Sequence, residues 1–156
     1  MTREHARWKE HALVELSSAG HRQGRARLAI IELLAAQNCA VTALDIEAEL
    51  RGGEHRVGLA TVYRTLELLA ELKLVGRLDT GQGIARYEPL LPSGEHHHHL
   101  VCDRCGRVIP FDDADLEATM ERLARRVRFE VAEHDVVLRG ACGSCRSEAR
   151  PGRKAH

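Results

Sequence analysis

The chain has 156 residues, of which 44% are hydrophobic and only 3% aromatic, a composition that suits one globular domain or two small ones with aliphatic cores. Its 23 Lys and Arg balance 23 Asp and Glu, so no overall basic field announces a nucleic-acid partner. No apolar run reaches the roughly 18 residues of a transmembrane helix, and no secretory h-region is present; the expected location is the cytoplasm, with no membrane partner.

Charge is uneven locally. Between Arg3 and Arg27, Arg3, Arg7, Lys9, Arg22, Arg25 and Arg27 stand against Glu4, Glu10 and Glu15. Residues 4–17 contain no breaker and carry Ala6, Leu13, Val14 and Leu16, which predicts an amphipathic helix stopped by Gly20. From Arg25 to Gln37, Leu28, Ile31, Leu34 and Ala35 recur at helical spacing. Thr42 with Asp45 three residues on reads as a capped helix start, running through Leu44, Ile46 and Leu50 to Arg51 before Gly52-Gly53. A further helix is expected from about Leu59 to Leu74, with Val62, Leu66 and Leu69 inward. Thr61, Tyr63, Arg64 and Thr65 in its first turns have the chemistry to reach phosphates or base edges. Residues 75–78 and 84–87 then flank the turn 79–83 as two strands. Three helices followed by a hairpin form a winged helix-turn-helix, with Arg77, Arg86 or Gln82 on the wing as candidate backbone contacts.

Residues 89–95 break the composition and mark a hinge. Beyond it, strands are expected near 99–102, 107–111 and 135–141, with a helix over 113–127 capped by an Asp; the tail 150–156 is expected to be disordered. The predicted class is therefore α+β: a DNA-binding unit over 1–88, the hinge, and a metal-binding, dimerising unit over 96–149 with a small antiparallel sheet.

The metal assignment rests on His96 to Cys105, which reads His-His-His-His-Leu-Val-Cys-Asp-Arg-Cys. A second Cys-x-x-Cys, Cys142 to Cys145, follows after 36 intervening residues, giving two knuckles of the kind tetrahedral Zn²⁺ takes. Gly106 and Gly143 are expected to relax the two turns. Two disulfides are the competing reading, and the odd count of five cysteines argues against it. Four thiolates saturate one zinc, so the imidazoles need a separate account. In an extended strand His97 and His99 point to one face and His96 and His98 to the other, giving two half-sites, with Glu88, Glu117 and His134 at hand as further donors.

The stretch Gly58-Leu-Ala-Thr-Val-Tyr-Arg-Thr-Leu66, the His run leading into Leu-Val-Cys-Asp-Arg-Cys-Gly, and Gly140-Ala-Cys-Gly-Ser-Cys145 together resemble the ferric uptake regulator family. The resemblance implies a homodimeric, metal-dependent transcriptional repressor that binds a palindromic double-stranded operator. It also implies a structural zinc on Cys102, Cys105, Cys142 and Cys145, a regulatory site on Glu88, His97 and His99, and a further site on His96, His98, Glu117 and His134. Arg27, Thr61, Tyr63, Arg64 and Arg77 are the implied DNA contacts. Where relatives often supply another His at the end of the second helix, this chain has Asn38-Cys39-Ala40. Cys39 is either an extra soft ligand or, the reading favoured here, a small buried thiol. For the regulatory metal Fe²⁺ is expected, on the strength of Glu88, with a zinc-uptake regulator as the alternative.

An enzyme using the His and carboxylate cluster is the competing class. The sequence offers it no Gly-rich phosphate loop, no His-Glu-x-x-His, and no His-x-Glu upstream of either Cys-x-x-Cys. No enzymatic activity and no small organic substrate are expected.

Overall fold

The computed structural model describes residues 3–52, 56–80, 83–94, 97–132 and 134–148. Gln82, His96 and the tail from residue 150 lie outside the described residues. The chain separates into two compact units, residues 1–96 and 97–156.

The first unit is built on apolar helix faces. Helix α1 (Arg3–Ser18) buries Trp8, Ala12 and Leu16, and the Trp8 indole Nε1 donates to the Leu74 carbonyl at 2.7 Å. That bond lets a polar ring sit fully inside. Helix α2 (Arg25–Ala36) buries Ile30, Ile31, Leu33, Leu34 and Ala35. Strand β1 (Val41–Thr42) leads into helix α3 (Ala43–Leu50), where the predicted cap is reciprocal: Thr42 Oγ1 accepts from the Asp45 amide, and Asp45 Oδ2 accepts from the Thr42 amide, both at 3.0 Å. Helix α4 (Leu59–Glu71) buries Val62, Thr65, Leu66 and Leu69. It stops three residues short of the expected Leu74, because Lys73 takes a left-handed φ of 55° and turns the chain into strand β2. Strands β2 (Val75–Asp79) and β3 (Ala85–Pro89) form the hairpin, and β1 joins its other side to give an antiparallel sheet in the order β1-β3-β2. Of the apolar residues these helices carry, Val14 and Leu44 are exposed.

In the second unit, β4 (His98–Cys102) lies between β5 (Val108–Phe111) and β6 (Val137–Gly140). Helix α5 (Ala114–Val127) starts on Asp113, whose carboxylate accepts from the Leu116 amide at 2.8 Å. The β4–β5 pair is antiparallel, but β6 runs parallel to β4, because the chain crosses back through α5 before re-entering the sheet. A short helix, α6 (Gly143–Glu148), closes the description and was not expected.

Candidate metal centres and nucleic-acid interface

Cys102 ends β4, Cys105 lies in the turn after it, and Cys142 and Cys145 flank the start of α6. Parallel pairing of Cys102 with Gly140 brings the two knuckles to one end of the sheet, where the four sulfurs all lie within 4.8 Å of one another. Cys105 Sγ and Cys142 Sγ are 3.8 Å apart. A tetrahedral zinc with Zn–S bonds of about 2.3 Å requires sulfur–sulfur edges of about 3.8 Å, so this donor set fits the ion.

The backbone is shaped to hold thiolates. The Cys142 amide donates to Cys102 Sγ at 3.3 Å, and amide hydrogen bonds from Cys142 first, then Cys105, bring the Cys102 thiol down to about 6. Cys145 is pushed up to about 12, chiefly by its hydrogen bonds with Cys105 and then Cys142. Four crowded sulfurs thus share protons among themselves, and a cation is what allows all four to ionise together. The first knuckle uses a left-handed glycine as expected, with Gly106 at φ 70°. The second does not. Gly143 opens α6 in right-handed backbone, and its knuckle is the first turn of that helix, where the Arg146 amide donates to the Cys142 carbonyl at 2.8 Å.

The strand alternation predicted for the His run is present. His97 and His99 place their rings 4.9 Å apart, edge to face. His98, only 2% exposed, points to the opposite face, where its Nε2 donates to Glu117 Oε1 at 2.7 Å. The other Glu117 oxygen lies 3.0 Å from His134 Nε2. Two imidazoles and a carboxylate, with ligand atoms within 4.8 Å of one another, suit a borderline divalent metal. Phe111 was not singled out from the sequence. It pairs in register with His98 and lays its ring 5.5 Å from the imidazole, walling the cluster with an apolar surface.

In the first unit, Glu88 lies on β3 opposite Gly76. Cys39 is half-buried, and its thiol is raised first by burial and also by the charge of Glu88, which places the two groups in the same neighbourhood. Tyr63 and Arg64 are exposed on α4, and Arg77 is exposed on β2. Tyr63 and Arg77 line one open groove of about 430 Å³ between α4 and the wing. Thr61 is half-buried, whereas Thr65 is only 4% exposed and is a core residue rather than a contact. Arg27 donates to the Arg22 carbonyl. Arg86 donates to the Ala40 carbonyl at 3.2 Å and lies 3.9 Å from Asp45, so it ties β3 to the start of α3.

Residues 18–139 match the model of the ferric uptake regulator family. A ferric uptake regulation protein of Bacillus subtilis is 39% identical over 106 residues, covering 67% of this chain and 71% of its own length. A zinc uptake regulation protein of Mycobacterium tuberculosis is 39% identical over 132 residues, covering 85% of this chain and all of its own. The crystal structure of the Vibrio cholerae ferric uptake regulator superposes with a TM-score of 0.71 at 33% identity, over 81% of this chain and 96% of that one.

Proposed function

The chain belongs to the ferric uptake regulator family, and from that premise we propose that it is a cytoplasmic, homodimeric repressor whose binding to a palindromic operator is switched on by a divalent metal. As the family's members are regulators, it is not an enzyme. The observation that carries the reading is the division of one His run into two ligand sets by strand alternation, beside four cysteines already sufficient for a structural zinc.

In this reading Cys102, Cys105, Cys142 and Cys145 hold zinc permanently. Glu88, His97 and His99 take up the sensed metal and close the hinge 89–95. His98, Glu117 and His134, joined by His96, form a second site. Bound metal supplies a positive charge that a carboxylate and two imidazoles share. Closure fixes the angle between two DNA-binding units so that paired α4 helices meet successive major grooves about one helical turn apart. A coupling of roughly 1–3 kcal/mol per site changes affinity by about 5–150-fold. Tyr63, Arg64 and Thr61 on α4, Arg77 on the wing and Arg27 at the start of α2 are the proposed contacts.

Fe²⁺ is the favoured metal, because Glu88 contributes a hard oxygen. Zinc is the second reading, favoured by the proximity of the Cys39 thiol to Glu88, which would make the donor set softer. Fluorescence anisotropy on DNA from upstream of the protein's own gene, with anaerobic Fe²⁺ and Zn²⁺ buffered separately, distinguishes the two. Activation by micromolar free iron supports the first; activation by zinc at far lower free concentration supports the second and makes Cys39→Ser the next variant. Replacing both His97 and His99 with Ala should abolish metal-dependent binding while one zinc per chain is retained. Unchanged metal dependence in that variant would overturn the regulatory assignment.

A further inference from the structure

The two cysteine knuckles are held in place by unequal means. The first is part of the sheet. Cys102 is 4% exposed at the end of β4, its amide donates to the Arg107 carbonyl at 2.9 Å, and its own carbonyl accepts from the Gly106 amide at 2.9 Å. The Asp103 amide donates to the Gly140 carbonyl of β6 at 2.8 Å. The second knuckle is the first turn of α6, a six-residue helix in which residues 143–147 include no buried one. A helix that short is not stable on its own backbone bonds, so its place depends on what ties it down.

Apart from contacts among the cysteines themselves, one side chain of the described residues reaches the second knuckle from elsewhere in the unit. Arg104, inside the first knuckle, donates from Nη1 to the Cys145 carbonyl at 2.8 Å, a bond across 41 positions of sequence. Its neighbour Asp103 lies 3.9 Å from Arg139 on β6, which ties the first knuckle to the sheet and leaves α6 to Arg104. Four thiolates around a divalent cation leave net negative charge at the centre, so a guanidinium fixed between the knuckles favours the loaded site as well as the empty one.

We propose that Arg104 is a positioning residue for the zinc site, a catch that holds the second knuckle closed on the first, so that release of zinc requires α6 to swing away while β4 stays in place. Groups that orient metal ligands without touching the metal act in this way. Opening is therefore ordered: Cys142 and Cys145 leave first, and Cys102 and Cys105 remain with the sheet. The proposal rests on the reading of the four cysteines as a structural zinc site and adds which half of that site is the door.

Transfer of zinc from the full zinc-loaded chain to an excess of a zinc-chelating pyridylazo dye tests it, at dye concentrations where the rate no longer depends on the dye. Arg104→Ala is expected to bind one zinc per chain and to release it about 2–10-fold faster than the unmodified chain, the range set by one net hydrogen bond. Arg104→Lys, which can still donate to the Cys145 carbonyl, should release zinc at a rate between the two. Arg107→Ala removes an exposed charge whose side chain makes no hydrogen bond among the described residues, and should leave the rate unchanged. Hydrogen exchange over residues 142–148 should quicken in Arg104→Ala while β4 and β5 keep their protection. Release indifferent to Arg104, or quickened equally by Arg107→Ala, overturns the catch, and so does equal loss of protection in α6 and β4. A chain that carries no zinc at all overturns the zinc reading and the catch together, whereas one zinc per chain with release indifferent to Arg104 overturns the catch alone.

Discussion

The two units of this chain achieve order by different means. Residues 1–96 enclose a continuous apolar cluster from Trp8 on α1 through Leu34, Ile46 and Leu66 to Tyr87 on β3. In residues 97–156, the buried residues among those described are His98, His99, Val101 and Cys102, three of them potential metal ligands. The first unit carries its stabilising free energy in side-chain methyl groups. The second presents donor atoms where a core would be and leaves Leu123, Val127, Phe129 and Leu138 facing outward. A small unit with so little interior depends on ligation and on assembly.

The sharpest way to break that contrast is to remove zinc from one unit and watch the other. Cys102→Ser should cost the second unit most of an apparent binding free energy on the order of 10–16 kcal/mol, enough to unfold it. Hydrogen exchange should then show β4, β5 and β6 unprotected while α2 and α4 keep their protection; simultaneous loss in both would mean that the units are not independent. The converse experiment is Trp8→Ala, expected to cost about 3–5 kcal/mol in urea unfolding followed by circular dichroism, from the lost ring volume; the Leu74 carbonyl keeps its second donor, the Leu90 amide at 3.0 Å. Zinc content should stay at one equivalent, and a variant that sheds zinc as well would contradict the separation. A finer probe is Thr42→Ala, which removes half of the reciprocal cap of α3 and should lower the stability of the first unit by about 1 kcal/mol. No change in its unfolding midpoint would mean that the cap contributes nothing there.

The same contrast governs what could be read from residues alone. In the first unit, apolar periodicity located four helices and a hairpin, and the Thr42 cap was legible because its chemistry is local. Periodicity alone did not separate the exposed Val14 and Leu44 from their buried neighbours, and it passed over Trp8, whose indole bonds to a carbonyl 66 residues away. Strand β1 is two residues long and exists only because β3 offers it a ladder. In the second unit, Cys and His spacing carried the information instead. It identified which side chains converge, and strand alternation divided them. It did not reveal α6, since Gly143-Ser-Cys145 has no apolar period, nor the parallel direction of β6, which follows from the crossover through α5.

One short strand carries His98 and Cys102, with His97 immediately before it and His99 within it, so donors of every proposed site are counted along a single run of backbone. Side chains on a strand follow odd and even parity. Deleting Leu100 or Val101 would invert the parity of His97, His98 and His99 relative to Cys102, sending each to the wrong face and disabling the sites together. Deleting two would restore parity and leave a shorter strand with its faces correctly assigned. The spacing of this run therefore works as a check digit: length errors of one residue are lost at once, whereas those of two are readable.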